Sequence, residues 1–228
     1  ATTTIYLSYY DDTNGDLKLA KVTQFMYPAF TVGTVDSTGD VGQYSSIAAV
    51  NDTTADNGQT VYISYYNATS NDLKLAASTN SGSSFSLSTA VSSGDVGKFS
   101  SIAIVDPTTI FISYFEDAPT TSTDKLRTVR STDSGATFEA PATVDEGQLL
   151  GQYNAISVVG TTNVFVSYWD DLGDFGNLKF AKSTVLIDLI GHRVTLDWSM
   201  DPSDNSSGTL YDGRILQISQ LNRFEWLF

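Results

Sequence analysis

The residues best equipped for chemistry in this chain are carboxylates, and they recur. Asp11 and Asp12, Glu116 and Asp117, and Asp170 and Asp171 each follow a short aromatic segment. Glycosidic hydrolysis by two carboxylates needs a protonated acid opposite an ionised partner, a single pair in two different environments. Acids repeated at equivalent places read instead as members of equivalent solvated turns. His192 is the only histidine and there is no cysteine, so neither a zinc cluster nor a Ser-His-Asp triad has its residues. Asp12, Asn14 and Asp16 alternate along one turn and could offer oxygen ligands to calcium, with Asp170-Asp171-Leu172-Gly173-Asp174 a looser version. Against calcium, Gly15 is out of place for an EF-hand loop, no bidentate Glu follows, and Asn14-Gly15 between β segments is a tight-turn signal. A turn is the reading we favour; calcium is the alternative, and no other cofactor is expected. Tyr10, Tyr66, Phe115 and Trp169 occupy one recurring position beside these turns. Aromatic faces beside acids and amides suit sugars, but packing between sheets is the reading we favour, because the same positions would be buried there.

Composition narrows the partners. The 228 residues hold 12 Lys and Arg against 26 Asp and Glu, a net charge of −14, and such a field repels nucleic acid and anionic membrane surfaces. No apolar run approaches the ~20 residues that span a bilayer as a helix. Sequons at Asn51, Asn67 and Asn205 and the Thr, Ser, Asp, Asn and Gly-rich loops lead to the expectation of an extracellular protein whose signal peptide has been removed.

The elements that position these residues are repeats. Ile5–Tyr10, Val61–Tyr66, Ile110–Phe115 and Val164–Trp169 share one pattern, with Ser8, Ser64, Ser113 and Ser167 in register at intervals of 49 to 56 residues. Each is followed by a turn and a second strand: Asp16–Ala20, Asp72–Ala76, Lys125–Thr128 and Asn177–Ala181. A third motif precedes the next copy, at Gly42–Ala48, Gly97–Ala103 and Gly151–Ser157, and a short β-prone run lies between, at Phe30–Val35, Phe85–Val91 and Phe138–Val144. Four short strands per unit, with apolar residues on both faces of the first, predict sheets covered by neighbouring sheets. The fold expected is all-β, a small β-propeller of about four four-stranded blades over residues 1–184, with units starting near 4, 60, 109 and 163. Residues 185–228 form a divergent C-terminal β segment.

Two units carry a further signature, Ser78-Thr79-Asn80-Ser81-Gly82-Ser83-Ser84-Phe85 and Ser131-Thr132-Asp133-Ser134-Gly135-Ala136-Thr137-Phe138. These resemble the Asp-box, or BNR, hairpins of sialidase-like β-propellers. The resemblance implies structural roles for Ser78, Asn80, Gly82, Phe85, Ser131, Asp133, Gly135 and Phe138, on the outer rim and away from any central cleft. The first unit has Val22-Thr23-Gln24-Phe25 at that place and the fourth Ser183-Thr184-Val185-Leu186, both without the Asp-Gly core. Sialidase chemistry as the family performs it requires an arginine cluster, a Tyr nucleophile with its Glu, and an Asp acid/base. The five arginines here are Arg127 and Arg130, flanking one hairpin, and Arg193, Arg214 and Arg223 in the tail, and the Arg-Ile-Pro motif is missing. The expectation is therefore a non-catalytic surface, structural or adhesive module that recognises glycans and self-assembles. A sialidase-like glycoside hydrolase is the alternative.

The tail supports assembly. A strand near Arg214–Ile218 could complete the first unit, which lacks the Tyr-Ser-Ser-Ile strand, and the apolar Leu221–Phe228 could dock on the same chain or on a neighbour.

Overall fold

A computed structural model describes residues 4–22, 30–52, 58–118, 123–161, 163–171, 176–184 and 197–200. The expected strand at 214–218, the apolar docking segment 221–228, and Asp174, His192, Arg193, Arg214, Arg223 and Asn205 lie outside these residues. Among the described residues no helix is long and apolar enough to cross a membrane.

Four antiparallel sheets follow one another along the chain. Sheet I holds Ile5–Asp11 (β1), Asp16–Val22 (β2) and Thr31–Asp36 (β3). Sheet II is formed by Val41–Asn51 (β4), Gln59–Asn67 (β5), Asp72–Ser78 (β6) and Ser86–Val91 (β7). Sheet III contains Asp95–Ile104 (β8), Ile110–Asp117 (β9), Asp124–Ser131 (β10) and Ala142–Gly147 (β11). Sheet IV contains Leu150–Val159 (β12), Asn163–Asp170 (β13), Asn177–Thr184 (β14) and Asp197–Met200 (β15). Strand order within each sheet is sequence order, and every neighbouring pair is antiparallel. The β15 strand pairs with β14 through Ala181↔Met200 and its neighbours, which brings part of the divergent segment 185–228 into the fourth sheet. Among the described residues sheet I has no strand on the free side of β1.

Successive sheets pack face to face, and alternation along the strands explains how. In β5, Tyr62, Ser64 and Tyr66 point toward sheet III while Val61, Ile63 and Tyr65 point toward sheet I. Both sets are buried, so the strand reads as a nearly continuous apolar run rather than an amphipathic one. Three apolar cores result. Leu17 and Leu19 of sheet I meet Val41, Ile63 and Tyr65 of sheet II. Tyr62, Leu73 and Leu75 meet Val96, Ile110 and Ile112 of sheet III. Phe111 and Leu126 meet Leu150, Val164 and Val166 of sheet IV. Truncating one such leucine to alanine costs roughly 2–5 kcal/mol, because the rigid facing sheets cannot collapse into the space.

The recurring serines tie the sheets together. Ser45 donates to Ser8 at 3.0 Å, Ser64 and Ser100 share a bond of 2.9 Å, and the Ser113 hydroxyl donates to the Asn154 side chain. Each pair joins β1, β5 or β9 of one sheet to the first strand of the next, β4, β8 or β12. A polar group buried there costs free energy unless satisfied, so the repeated serine fixes the height of one sheet against its neighbour.

Candidate functional site

The first strands of sheets II, III and IV, β4, β8 and β12, carry the same irregularity. In β4 the register passes from Val41↔Asn67 to Gln43↔Tyr66 and then to Ser46↔Ser64, two bulges in close succession. The same double shift occurs between Val96 and Ser101 in β8 and between Leu150 and Ala155 in β12. A bulge inserts one residue against the partner strand and re-aims the side chains beside it. Here the re-aimed residues are aromatic: Tyr44, Phe99 and Tyr153 sit in the left-handed region at φ 52°, 53° and 49°. For bulky residues this conformation costs on the order of 1–3 kcal/mol each, and it persists only where the surroundings hold it.

The surroundings are the next sheet. The Tyr44 carbonyl accepts the Ser100 hydroxyl at 3.0 Å, and the Phe99 carbonyl accepts the Asn154 amide at 2.9 Å. The neighbouring Ser46 and Ser101 hydroxyls accept the backbone N–H groups of Ile102 and Ile156, each at 3.2 Å. The result is a row of rings across three sheets. Tyr44 and Phe99 have centroids 4.6 Å apart and Phe99 and Tyr153 4.7 Å, tilted by 47° and 56°. Tyr44 is 42% exposed and Tyr153 72%, with Phe99 half-buried between them.

Two of the four ring positions singled out in the sequence, Tyr66 and Phe115, lie against this row. Tyr66 and Phe115 are buried. Tyr44 meets the edge of Tyr66 at 6.2 Å, and Phe99 that of Phe115 at 6.0 Å. Tyr10 and Trp169 are half-buried. The Tyr10 hydroxyl donates to Asp40 at 2.7 Å, and the Tyr66 hydroxyl to Asp95 at 2.7 Å, with the Asn71 side-chain oxygen 2.8 Å away. Phe115 has no hydroxyl, and Leu149 stands where the first two sheets have Asp40 and Asp95. Donor and acceptor are lost together, as expected where an unpaired carboxylate would be costly.

These contacts set the electrostatics. The hydrogen bond to Asp40 raises the Tyr10 phenol above its ordinary value. Burial, then the hydrogen bond to Asp95, raises that of Tyr66. Lys98 donates to Asp95 and Asp117, each at 2.7 Å, and lies 5.7 Å from the Tyr66 ring centre. Desolvation alone would lower its pKa, but the two carboxylates outweigh it and raise the value. The row is thus a strip of aromatic surface bordered by one cation and several acids.

Elsewhere the acids are engaged in turns. Asp11 accepts Thr13 N–H and the Asn14 side chain, and Lys18 reaches Asp16 at 2.8 Å and Asp11 at 3.7 Å. Of the calcium candidates Asp12, Asn14 and Asp16, Asp16 is thus paired with a lysine and Asn14 is bonded to Asp11. Among the described residues no three His, Cys, Asp or Glu side chains converge as a metal site. Arg127 pairs with Glu116 at 2.7 Å, and Arg130 with Glu139 at 3.7 Å.

The two Ser-x-Asx-x-Gly turns lie between β6 and β7 and between β10 and β11. In the first, Ser78 Oγ accepts Gly82 N–H at 2.9 Å and Asn80 Oδ1 accepts Ser83 and Ser84 N–H at 3.1 and 2.9 Å. In the second, Ser131 and Asp133 repeat this on Gly135 and Thr137, both at 2.9 Å. Both turns reach the preceding sheet, where Ser81 O accepts Lys21 and Gly135 O accepts Ser88.

Four successive all-β sheets of this build define the class of fold found in sialidases. No known protein family matches the sequence, and no curated protein does. Among solved structures, the intramolecular trans-sialidase from Ruminococcus gnavus aligns with a TM-score of 0.56 at 13% identity, over 82% of this chain and 39% of that one. The leech intramolecular trans-sialidase gives 0.53 at 12%, over 82% and 28%. The NanB sialidase from Streptococcus pneumoniae gives 0.51 at 13%, over 87% and 34%. Identity this low establishes a shared fold, and this chain spans well under half the length of each of these proteins.

The aromatic row escaped the sequence reading, which took Gly42–Ala48 and its two counterparts as plain strands. A signal was present: Gly, any residue, then an aromatic recurs in all three copies, and a glycine two positions before a recurring ring is a bulge cue.

Proposed function

We propose that the four sheets are consecutive blades of a sialidase-like β-propeller with Asp-box turns, and that this chain is a non-catalytic extracellular module recognising carbohydrate through Tyr44, Phe99 and Tyr153. The carrying observation is the exposed aromatic row, held in a strained backbone conformation three times over. Strain concentrates where presentation of a side chain matters, and aromatic faces bordered by acids and amides are the usual platform for sugar C–H faces. The module acts without a cofactor. Its negative field disfavours polyanionic partners and leaves neutral glycans as the ligand class.

Three features weigh against turnover. The hydrogen-bonded phenols of the half-buried Tyr10 and the buried Tyr66 are pushed up, the opposite of what a tyrosine nucleophile needs. Arg127 and Arg130 are committed to Glu116 and Glu139. The acids recur at equivalent places rather than forming a differentiated pair. The likeness to sialidases favours the hydrolase as the second reading.

A glycan array followed by titration calorimetry tests the proposal, with a fluorogenic sialoside and glycoside panel alongside. Binding should fall at least about tenfold in Tyr153→Ala and Tyr44→Ala, equivalent to ~1.4 kcal/mol, and should be unchanged in Tyr9→Ala. Turnover abolished by changing a carboxylate would establish the hydrolase instead, and binding indifferent to Tyr153 and Tyr44 would remove the row from the site.

A further inference from the structure

The two ends of the four-sheet run are apolar faces of complementary kind. Every internal junction uses one rule: Leu17, Leu73 and Leu126, at the same place in β2, β6 and β10, are wholly buried against the next sheet. Leu178 holds that place in β14 and is 78% exposed, with Phe180 beside it at 42%. The half-buried Phe165 stacks on Phe180 at 5.8 Å and extends the patch. On the other side of each junction stand Val61, Ile63 and Tyr65 and their counterparts in sheets III and IV, all wholly buried. Ile5, Leu7 and Tyr9 hold those places in sheet I and are 41%, 53% and 36% exposed. Among the described residues sheets I and IV share no core: the three apolar cores join I to II, II to III and III to IV.

We infer that a second copy of this chain docks head to tail, the Leu178/Phe180 face of one copy covering the Ile5/Leu7/Tyr9 face of the next. The occupant is specified by the chain itself. Each face already has a working partner inside the molecule, because the Leu17/Leu19 face packs on Ile63 and Tyr65, and one copy presents one face of each kind. A contact between two different faces is heterologous, so it closes into a ring or extends as a filament. Exposed contiguous apolar surface on a face otherwise built for burial is the signature of such an interface. The inference is independent of any glycan and of the residues that bind one.

The test uses the full chain and two charge-introducing variants, Leu7→Asp and Leu178→Asp, at exposed positions where the fold tolerates them. Sedimentation across a wide concentration range should give the wild type a mass of at least two chains and each variant alone the mass of one. An equimolar mixture should restore a particle of two chains and nothing larger, since each variant keeps the face the other has lost. Circular dichroism checks the fold, and Tyr9→Glu with Phe180→Asp replaces the pair if either variant loses its β signal. A wild type monomeric at every concentration overturns the inference. So does association that survives both substitutions, which would point to other residues such as 201–228, or a mixture that stays monomeric.

Discussion

The Tyr65 hydroxyl donates to Asp36 at 2.7 Å across the junction of sheets I and II, with both residues buried and Lys74 at 3.4 Å from the same carboxylate oxygen. Tyr168 repeats the bond to Asp145 at 2.8 Å between sheets III and IV. The middle junction breaks the pattern, because Val91 stands where the other two have aspartate, and the buried Tyr114 hydroxyl has no hydrogen-bond partner. The tyrosines therefore differ in worth despite identical places in the repeat. Tyr65→Phe should cost about 1.5–3 kcal/mol, the range for a hydrogen bond to a charged group, whereas Tyr114→Phe should leave stability unchanged or raise it by up to ~1 kcal/mol. Urea denaturation of the two variants checks this, and equal losses would refute the distinction.

Asp36 also sets a pH dependence. Burial alone would raise its pKa, but the Tyr65 hydroxyl, the Thr38 amide and Lys74 together hold it below the ordinary 3.8. A carboxyl with a depressed folded-state value contributes stability that is present above 3.8 and lost as pH falls through the folded value. Asp36→Asn should be less stable at neutral pH and should lose less on acidification. Unfolding free energies measured in steps from about pH 5 to pH 2 should give a shallower slope for the variant; parallel curves would assign the acid sensitivity to other carboxylates.

Glycines separate the conserved bulge from ordinary strand. Gly97 has φ +106°, and a Cβ there would lie 2.7 Å from Leu73 Cα of the preceding sheet. Backbone can yield on neither side, so Gly97→Ala combines a forbidden conformation with a clash and should cost at least ~2 kcal/mol. It should also displace the Phe99 ring. Gly33, in the exposed β3, has no atom within 4 Å of its would-be Cβ, and Gly33→Ala should be neutral or stabilising by ~0.5 kcal/mol. Melting curves, with near-ultraviolet circular dichroism reporting the aromatic row, check both.

The hairpins were readable in the sequence because their information is local. Strand alternation, the Asn14-Gly15 turn and the recurring serine lie within a few residues of one another, and the apolar residues on both faces of β5 and β9 already required sheets on either side. The site was less readable, because it depends on which ring lies over which. Burial of Tyr66 and Phe115 was readable, but not that Tyr44 and Phe99 cover them, residues of β4 and β8 that arrive only through a bulge. The orphan Tyr114 hydroxyl was equally hidden, since its missing partner is Val91 of another sheet, and only the packing makes that valine a substitution for aspartate.

The paired turns offer a comparison written into the chain. Ser131 is fully buried; its Oγ accepts Gly135 N–H and donates to Asp133 at 2.8 Å. Removing that oxygen strands a buried amide, so Ser131→Ala should cost about 1–3 kcal/mol. Asp133 is another matter. Its sister residue Asn80 holds Ser83 and Ser84 N–H with Oδ1 and donates its own amide to Ser84 Oγ at 2.8 Å, whereas Asp133 accepts Thr137 N–H and the Thr137 hydroxyl. A hydroxyl can serve as donor or acceptor, so in Asp133→Asn the Thr137 hydroxyl reverses its role and the turn keeps every bond. Asp133→Asn should therefore leave the unfolding midpoint at neutral pH where it is, while Asp133→Ala lowers it. The carboxylate is held below its ordinary value chiefly by the Thr137 hydroxyl, so only the wild type should weaken as that group protonates in acid. An Asn variant as damaging as Ala would mean that the turn depends on the charge itself and not on the oxygen Asn and Asp share.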